Sequence, residues 1–226
     1  TGNPRWLVNA LNGHAVVDFD GTGDELRRAA NLTGLPAGSA NRTLLLVANY
    51  RGAGYGGFTY GQPACNQTFG LGVTPAGNLM VQGWCNDYPS TTLGTGTGWM
   101  VQAVVVSGGA ITHYRDGAVI GTAQKNFNTV LNRIVLGAEI DGAPQVNMQV
   151  AAAYIYDRAL TSTEIASAQT QLRSYYLETG SAQPPQAQND TVDVVQGNTV
   201  AINVLANDSD ADGTLIAANK HLLSMK

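Results

Sequence analysis

The stretch Trp99–Thr122, WMVQAVVVSGGAITHYRDGAVIGT, decides the fold class. Trp99–Val106 is a candidate strand, and Ile111–Arg115 and Ala118–Thr122 flank the pair Asp116-Gly117. An Asp-Gly pair between two alternating runs predicts a two-residue hairpin, because both central residues can take positive φ. The same grammar recurs on either side. Arg42 to Tyr50 (RTLLLVANY) is nearly continuous apolar sequence, as expected of a strand covered on both faces. His14–Phe19, Gln67–Val73, Asn78–Trp84, Leu131–Leu136 and Val146–Asp157 are further candidate strands. Many short strands, turns between them and no alternating helices predict an all-β, antiparallel jelly-roll sandwich. One helix is expected near the end. Thr161-Ser162-Thr163-Glu164 fits a capping box, Ile165, Ala168, Leu172 and Tyr176 share one face, and Gly180 is a plausible stop.

Composition narrows the function. Of 226 residues only 12% are charged, and the net charge is −4. Nucleic acid is an unfavourable partner for such a chain, since phosphate binding needs a basic footprint. No apolar run reaches the roughly 18 residues of a membrane-spanning helix. A hydrophobic content of 44% argues against disorder. After the helix, Ser181–Gln188 carries Pro184-Pro185 and no periodicity, which reads as a linker. The organisation expected is a main domain over 1–179, a linker over 180–190, and the truncated start of a second β domain over 191–226. The last piece is too short to bury a core of its own.

Cys65 and Cys85 are the two cysteines. No CxxC or HExxH accompanies them, so a structural zinc is not expected. A hairpin folded about Pro75 and Ala76 would bring them nearly opposite each other, within disulfide reach. The competing reading is two buried free thiols. A disulfide implies an oxidising compartment and an extracellular or cell-surface protein. No signal peptide opens the chain, and it reads as a mature fragment.

Three groups of residues carry candidate chemistry. Tyr50, Tyr55, Phe58 and Tyr60 lie in or beside a glycine-rich loop, and Trp84 and Tyr88 lie near Cys85. Sugars stack on such rings, and Arg51, Asn86 and Asp87 would supply hydrogen bonds to hydroxyls. The competing reading makes some of these rings core. Asp18, Asp20 and Asp24 surround Gly21 and Gly23, where Asp20 with Asp24 is the plausible calcium pair. Asp208-x-Asp210-x-Asp212-Gly213 matches the first half of an EF-hand-type loop, though Asn219 stands at its twelfth position. Gly52-Ala53-Gly54-Tyr55-Gly56-Gly57 matches GxGxxG, but Phe58–Pro63 cannot continue as a helix. A surface loop is expected there rather than a nucleotide site. His113 is expected as a half-buried or exposed sheet residue opposite Ile120.

Asn9–Asp24 (NALNGHAVVDFDGTGD), Trp99–Val106 with Tyr114–Gly117, Ile134–Gly137, Ala153–Tyr156 and Asp157–Ile165 (DRALTSTEI) resemble, in that order, bacterial laminin-G-like, concanavalin-A-like lectin/glucanase domains. The first strand of that pattern, expected before Asn9, is mostly absent. The resemblance covers about residues 7 to 178. It implies a two-sheet jelly roll that binds a glycan or protein ligand, often near calcium. The tail from Asn189 to Gly213 resembles the start of cadherin-like repeat domains, which implies neighbouring domains in a longer chain. Glu139-Ile140-Asp141 resembles the E-x-D core of jelly-roll glycoside hydrolases, which need two carboxylates about the scissile bond. Gly142-Ala143-Pro144-Gln145 follows without the second Glu, so Glu139 and Asp141 are weak catalytic candidates. The leading expectation is a non-catalytic, calcium-assisted carbohydrate-binding or adhesion module of a secreted or surface protein. The alternatives are a glycoside hydrolase or polysaccharide lyase, and a structural protein-contact domain.

Overall fold

The structure, a computed structural model, describes residues 2–29, 32–178, 186, 188 and 207–209. Within them the strands are β1 Arg5–Leu11, β2 His14–Asp20, β3 Leu26–Arg28, β4 Arg42–Tyr50, β5 Gly56–Gly61, β6 Thr68–Val73, β7 Asn78–Gln82, β8 Tyr88–Leu93, β9 Trp99–Ser107, β10 Ala110–Arg115, β11 Ala118–Gln124, β12 Arg133–Leu136 and β13 Asn147–Tyr156. The helix α1 spans Ser162–Leu177. A seven-stranded sheet runs β1-β2-β13-β4-β9-β10-β11, and a six-stranded sheet runs β3-β12-β5-β6-β7-β8. Their ladders are antiparallel, so the jelly-roll expectation holds.

The sandwich interior joins Phe19, Leu44, Leu46, Met100 and Val104 of the larger sheet to Phe58, Tyr60, Phe69, Leu71 and Val81 of the smaller. The outer face of the larger sheet carries Leu45, Val47, Val101, Ala103 and Val105, which pack under Ile165, Ala168, Leu172 and Tyr176 of α1. Burial on both sides explains why RTLLLVANY shows no alternation. The capping box forms as read, with Thr161 and Glu164 each holding the other's backbone N–H. Gln169 of α1 accepts the Gly117 N–H at 2.9 Å, and Arg173 pairs with Asp116 at 2.9 Å. The helix thereby holds the turn in which Asp116 and Gly117 both take positive φ.

Two polar groups are built into the core. Arg42 is wholly buried. Its guanidinium donates to the Tyr60 hydroxyl and to Thr129 Oγ1 at 2.9 Å each, and to the Gly38 carbonyl at 2.7 Å. Deeper, the Tyr50 hydroxyl donates to Gln102 Oε1 at 2.8 Å. Gln102 Nε2 reaches the Gly72 and Met80 carbonyls at 3.3 and 3.2 Å and His113 Nε2 at 3.0 Å. Its amide therefore ties the two sheets together.

Several expectations change. Gly56–Gly61 is an inner strand, not a mobile loop. Its glycines are there for close approach: a Cβ on Gly57 would strike the Leu71 carbonyl, and one on Gly56 would lie 2.7 Å from the Val146 side chain. The opening strand is present as β1, and β3 and β8 complete the sheet edges. His113 is fully buried, and a bulge at Ile120 places it opposite Gly121. The linker, Gly180 and the second-domain segment 191–226 lie outside the described residues, apart from the few at 186, 188 and 207–209.

Candidate functional site

Alternation assigns the outward face of the six-stranded sheet. In β5 and β6, Phe58, Tyr60, Phe69, Leu71 and Val73 point into the core. The residues between them, Gly57, Thr59, Gly61, Thr68, Gly70 and Gly72, therefore point out. Register aligns Val135, Thr59, Gly70 and Gln82 in one row across β12, β5, β6 and β7. The glycines leave little side chain over this part of the sheet.

Two segments border the row. The first is 137–146, which closes on itself through an Ala138–Gln145 bridge and the Glu139 N–H on the Pro144 carbonyl at 3.0 Å. Ala138 and Ile140 pack on Val135 with Trp84 against them. The second is the turn after β7. Asp87 Oδ1 accepts the Gly83 N–H at 2.7 Å. Trp84 and Cys85 both adopt positive φ, +44° and +66°, a left-handed conformation that non-glycine residues rarely take. The Cys65–Cys85 disulfide, with Cα atoms 5.1 Å apart, and the Asn66 N–H on the Trp84 carbonyl at 2.6 Å hold that turn. No free thiol remains among the described residues.

The two segments meet at Glu139, whose carboxylate accepts Gln82 Nε2 at 2.9 Å. Burial, then the neighbouring carboxylates of Asp141 and Asp87, push Glu139 up to about 7 against the single opposing hydrogen bond from Gln82. Two side-chain atoms of the row lack any hydrogen-bond partner: Gln82 Oε1 and Thr59 Oγ1. Their residues are 1% and 0% exposed. Buried polar atoms are normally paired, so the orphaned oxygen of Gln82, whose amide holds the raised Glu139 carboxyl, makes this the candidate site. At the rim, Arg27 donates to Glu25 at 2.9 Å and to the Asp141 carbonyl at 3.0 Å. Lys125 donates to the Asp87 carbonyl at 2.9 Å.

The residues named from sequence divide accordingly. Trp84, Asp87, Glu139 and Asp141 come together, although sequence reading placed them in two separate groups. Tyr55 is 39% exposed, and its neighbour Gly54 lies against Val146 and Pro144 of the same border segment. Tyr50 and Tyr60 do not face solvent; both are completely buried, because their inward parity places them in the core. Arg51 is drawn away to the larger sheet, where it pairs with Asp18 at 2.6 Å and donates to the Phe19 carbonyl at 3.0 Å. Burial opposes ionisation of Asp18, but hydrogen bonds from Arg5, Arg51 and Gln149 outweigh it and hold the carboxyl below its ordinary value. Asn86 is tied to Asn66 at 2.8 Å and to the Asn126 carbonyl at 3.1 Å, bracing the disulfide turn. Tyr88 donates to the Thr122 carbonyl at 3.1 Å and covers Gly121. Sequence reading missed Gln82 and Thr59. Their signal was Gly57, Gly61, Gly70 and Gly72 on the outward parity of GGFTYG and TFGLGV, which leaves few side chains on that face.

The carboxylates of the acidic loop are engaged by its own backbone. Asp24 gives its oxygens to the N–H groups of Asn3 at 2.7 Å and Asp20 at 3.1 Å, and Asp20 Oδ1 caps the Thr22 N–H at 2.7 Å. These carboxylates close a turn. Among the described residues no group of three or more His, Cys, Asp or Glu is arranged to hold a metal. Asp208 accepts the Gln188 N–H at 2.8 Å, while Asp210 and Asp212 lie outside the described residues.

The model of the Laminin_G_3 family, described as the concanavalin A-like lectin/glucanases superfamily, matches residues 35–166. The chain belongs to this superfamily. Solved relatives share its lectin-like sandwich at low identity. A heptameric SAP-like pentraxin from Limulus polyphemus is 21% identical, with a TM-score of 0.52 over 70% of this chain and 82% of that one. Domain 4 of AbnA, an extracellular arabinanase from Geobacillus stearothermophilus, solved with arabinotriose, is 18% identical, with a TM-score of 0.54 over 74% and 81%. A botulinum neurotoxin serotype D ligand-binding domain, solved with N-acetylneuraminic acid, is 15% identical, with a TM-score of 0.51 over 75% and 45%. No curated protein matches in sequence. The concanavalin A-like domain here is a disulfide-bonded β-sandwich, and its described residues hold no helix long and apolar enough to cross a membrane.

Proposed function

We propose that the domain is a carbohydrate-binding module whose ligand seats on Trp84, Gln82, Asp87, Glu139 and Asp141. The observation that carries this reading is the meeting of Trp84, Asp87, Glu139 and Asp141 on the outward side of the six-stranded sheet, where Gln82, bonded to Glu139, keeps an unpaired Oε1. Sugar hydroxyls are both donors and acceptors and satisfy such atoms, while the indole supplies apolar contact area. The sugar ligands of the arabinanase domain and the neurotoxin domain support the assignment by analogy of fold. The disulfide supports an extracellular or cell-surface setting.

The test is a glycan array followed by calorimetry on the best ligand. Trp84→Ala should weaken binding by about tenfold or more, with the fold intact by circular dichroism. Failure of any glycan to bind, with or without calcium, overturns the reading. Binding that is lost on chelation would bring calcium back into the site.

One observation favours a second reading, hydrolysis or elimination on a polysaccharide. Glu139, raised to about 7, stands beside a second carboxylate, Asp141, and acid–base pairs of that kind cleave glycosidic bonds. Under this reading Glu139→Gln abolishes release of new sugar ends while leaving binding in place. Unchanged turnover excludes Glu139.

A further inference from the structure

We propose that the Glu139 site selects its glycan by charge, accepting a sugar that carries a protonated amine and turning away sugars that carry carboxylate or sulfate. The inference rests on the glycan reading above and specifies its substrate class.

The hydrogen-bond inventory gives the first reason. Glu139, Asp141, Asp87 and Gln82 Oε1 are acceptors, and Gln82 Oε1 has no partner. Gln82 Nε2 is already engaged by Glu139. A site rich in acceptors and poor in free donors is complemented by a ligand rich in donors. An ammonium offers three.

Charge gives the second. Glu25, Asp87, Glu139 and Asp141 outnumber Arg27 and Lys125, and each cation already holds one edge of the site. The Arg27 guanidinium holds Glu25 and the Asp141 carbonyl, and the Lys125 ammonium holds the Asp87 carbonyl. A carboxylate or sulfate is bound best by a free guanidinium fork. Arg51, the other arginine expected near the aromatic cluster, is taken by Asp18 on the larger sheet. Burial is the main reason Glu139 is pushed up, and the carboxylates of Asp141 and Asp87 add a like-charge repulsion that a bound cation relieves. Trp84 adds a ring face to which a cation is attracted. The net charge of −4 acts in the same direction at longer range.

Calorimetry of the full chain at neutral pH and low salt, with three hexasaccharides, separates the outcomes. The probes are a glucosamine oligomer, its N-acetylated counterpart and a galacturonic acid oligomer. The glucosamine oligomer should bind about tenfold or more tightly than the N-acetylated one, and the galacturonate should not bind. Glu139→Gln and Asp141→Asn should each shrink that preference, as should raising salt to about 0.5 M. Equal or tighter binding of the N-acetylated oligomer overturns charge selection and leaves the glycan reading standing. Preferred binding of galacturonate does the same. If none of the three binds and a wider glycan panel is also silent, both readings fall. Should either variant misfold, the salt dependence of the native chain decides, because a preference for the amine that is insensitive to salt overturns the proposal.

Discussion

Gln102 and Gln82 sit on opposite faces of the same β6–β7 ladder. Gln102 lies beneath it, inside the sandwich, and its amide reaches the Gly72 and Met80 carbonyls, the Tyr50 hydroxyl and His113. Gln82 lies on the outward face, two residues from Met80, and its carbonyl oxygen has no partner. Beside each stands a titratable group moved by burial. His113 is pushed down to about 4 and stays neutral, while Glu139 is pushed up to about 7. The same amide side chain is thus engaged at both its atoms on one face and at one atom on the other, while the core network ends on an unpaired His113 Nδ1. The fully engaged amide fixes the spacing of the sheets; the oxygen left over is completed by something else.

The largest expected effect tests that asymmetry. Gln102→Leu strips Tyr50 and His113 of their partner in the core and should cost about 3 kcal/mol of stability, read by urea unfolding. Gln82→Leu removes an oxygen that is already unpaired together with one hydrogen bond to Glu139, and should cost about 1 to 1.5 kcal/mol, less than the core change. Equal losses would break the comparison. The pH dependence comes next, and its two slopes run in opposite directions. His113 binds its proton in the folded state only near pH 4, whereas the unfolded chain binds it near 6.5. Stability is therefore full above pH 6.5 and falls as pH drops toward 4. Glu139 keeps its proton in the folded state up to about 7, whereas the unfolded chain releases it near 4.5. Its contribution therefore declines as pH rises from 4.5 through 7. Glu139→Gln should remove that decline and raise stability at pH 8 by about 1–2 kcal/mol, after allowance for its half-exposed position. At pH 4 it should change little.

Much of the frame could be read from residues, because short-range chemistry writes it. Asp116-Gly117 forces the β10–β11 turn, Thr161 and Glu164 start the helix, and the Pro75-Ala76 turn brings Cys65 to Cys85. The site was less legible for two physical reasons. First, strands covered on both faces show no alternation, so nothing in RTLLLVANY says which way Tyr50 points. Second, Gln82 and Glu139 are 57 positions apart and meet only because β12, β5, β6 and β7 are neighbours in the sheet. Glycine was misleading in the same region. In Gly52–Gly61 it reads as a loop, yet in β5 it marks close strand contact.

The smallest effect is the most diagnostic. Thr59 stands in the row between Val135 and Gly70, wholly buried, its hydroxyl without a partner. Val has nearly the same shape and no hydroxyl, so Thr59→Val keeps the packing and removes a desolvated polar group. Truncating one member of a satisfied pair destabilises a protein, whereas removing an unsatisfied group relieves its penalty. The variant should therefore be more stable than the native chain, by about 1 kcal/mol, in thermal or urea unfolding without ligand. Because Thr59 is wholly buried, affinity for the sugar should stay close to that of the native chain. A gain in stability with unchanged affinity would confine the ligand to Gln82, Trp84 and Glu139. A loss of stability would mean that Thr59 is already satisfied, and the outward face would then resemble the core it was contrasted with.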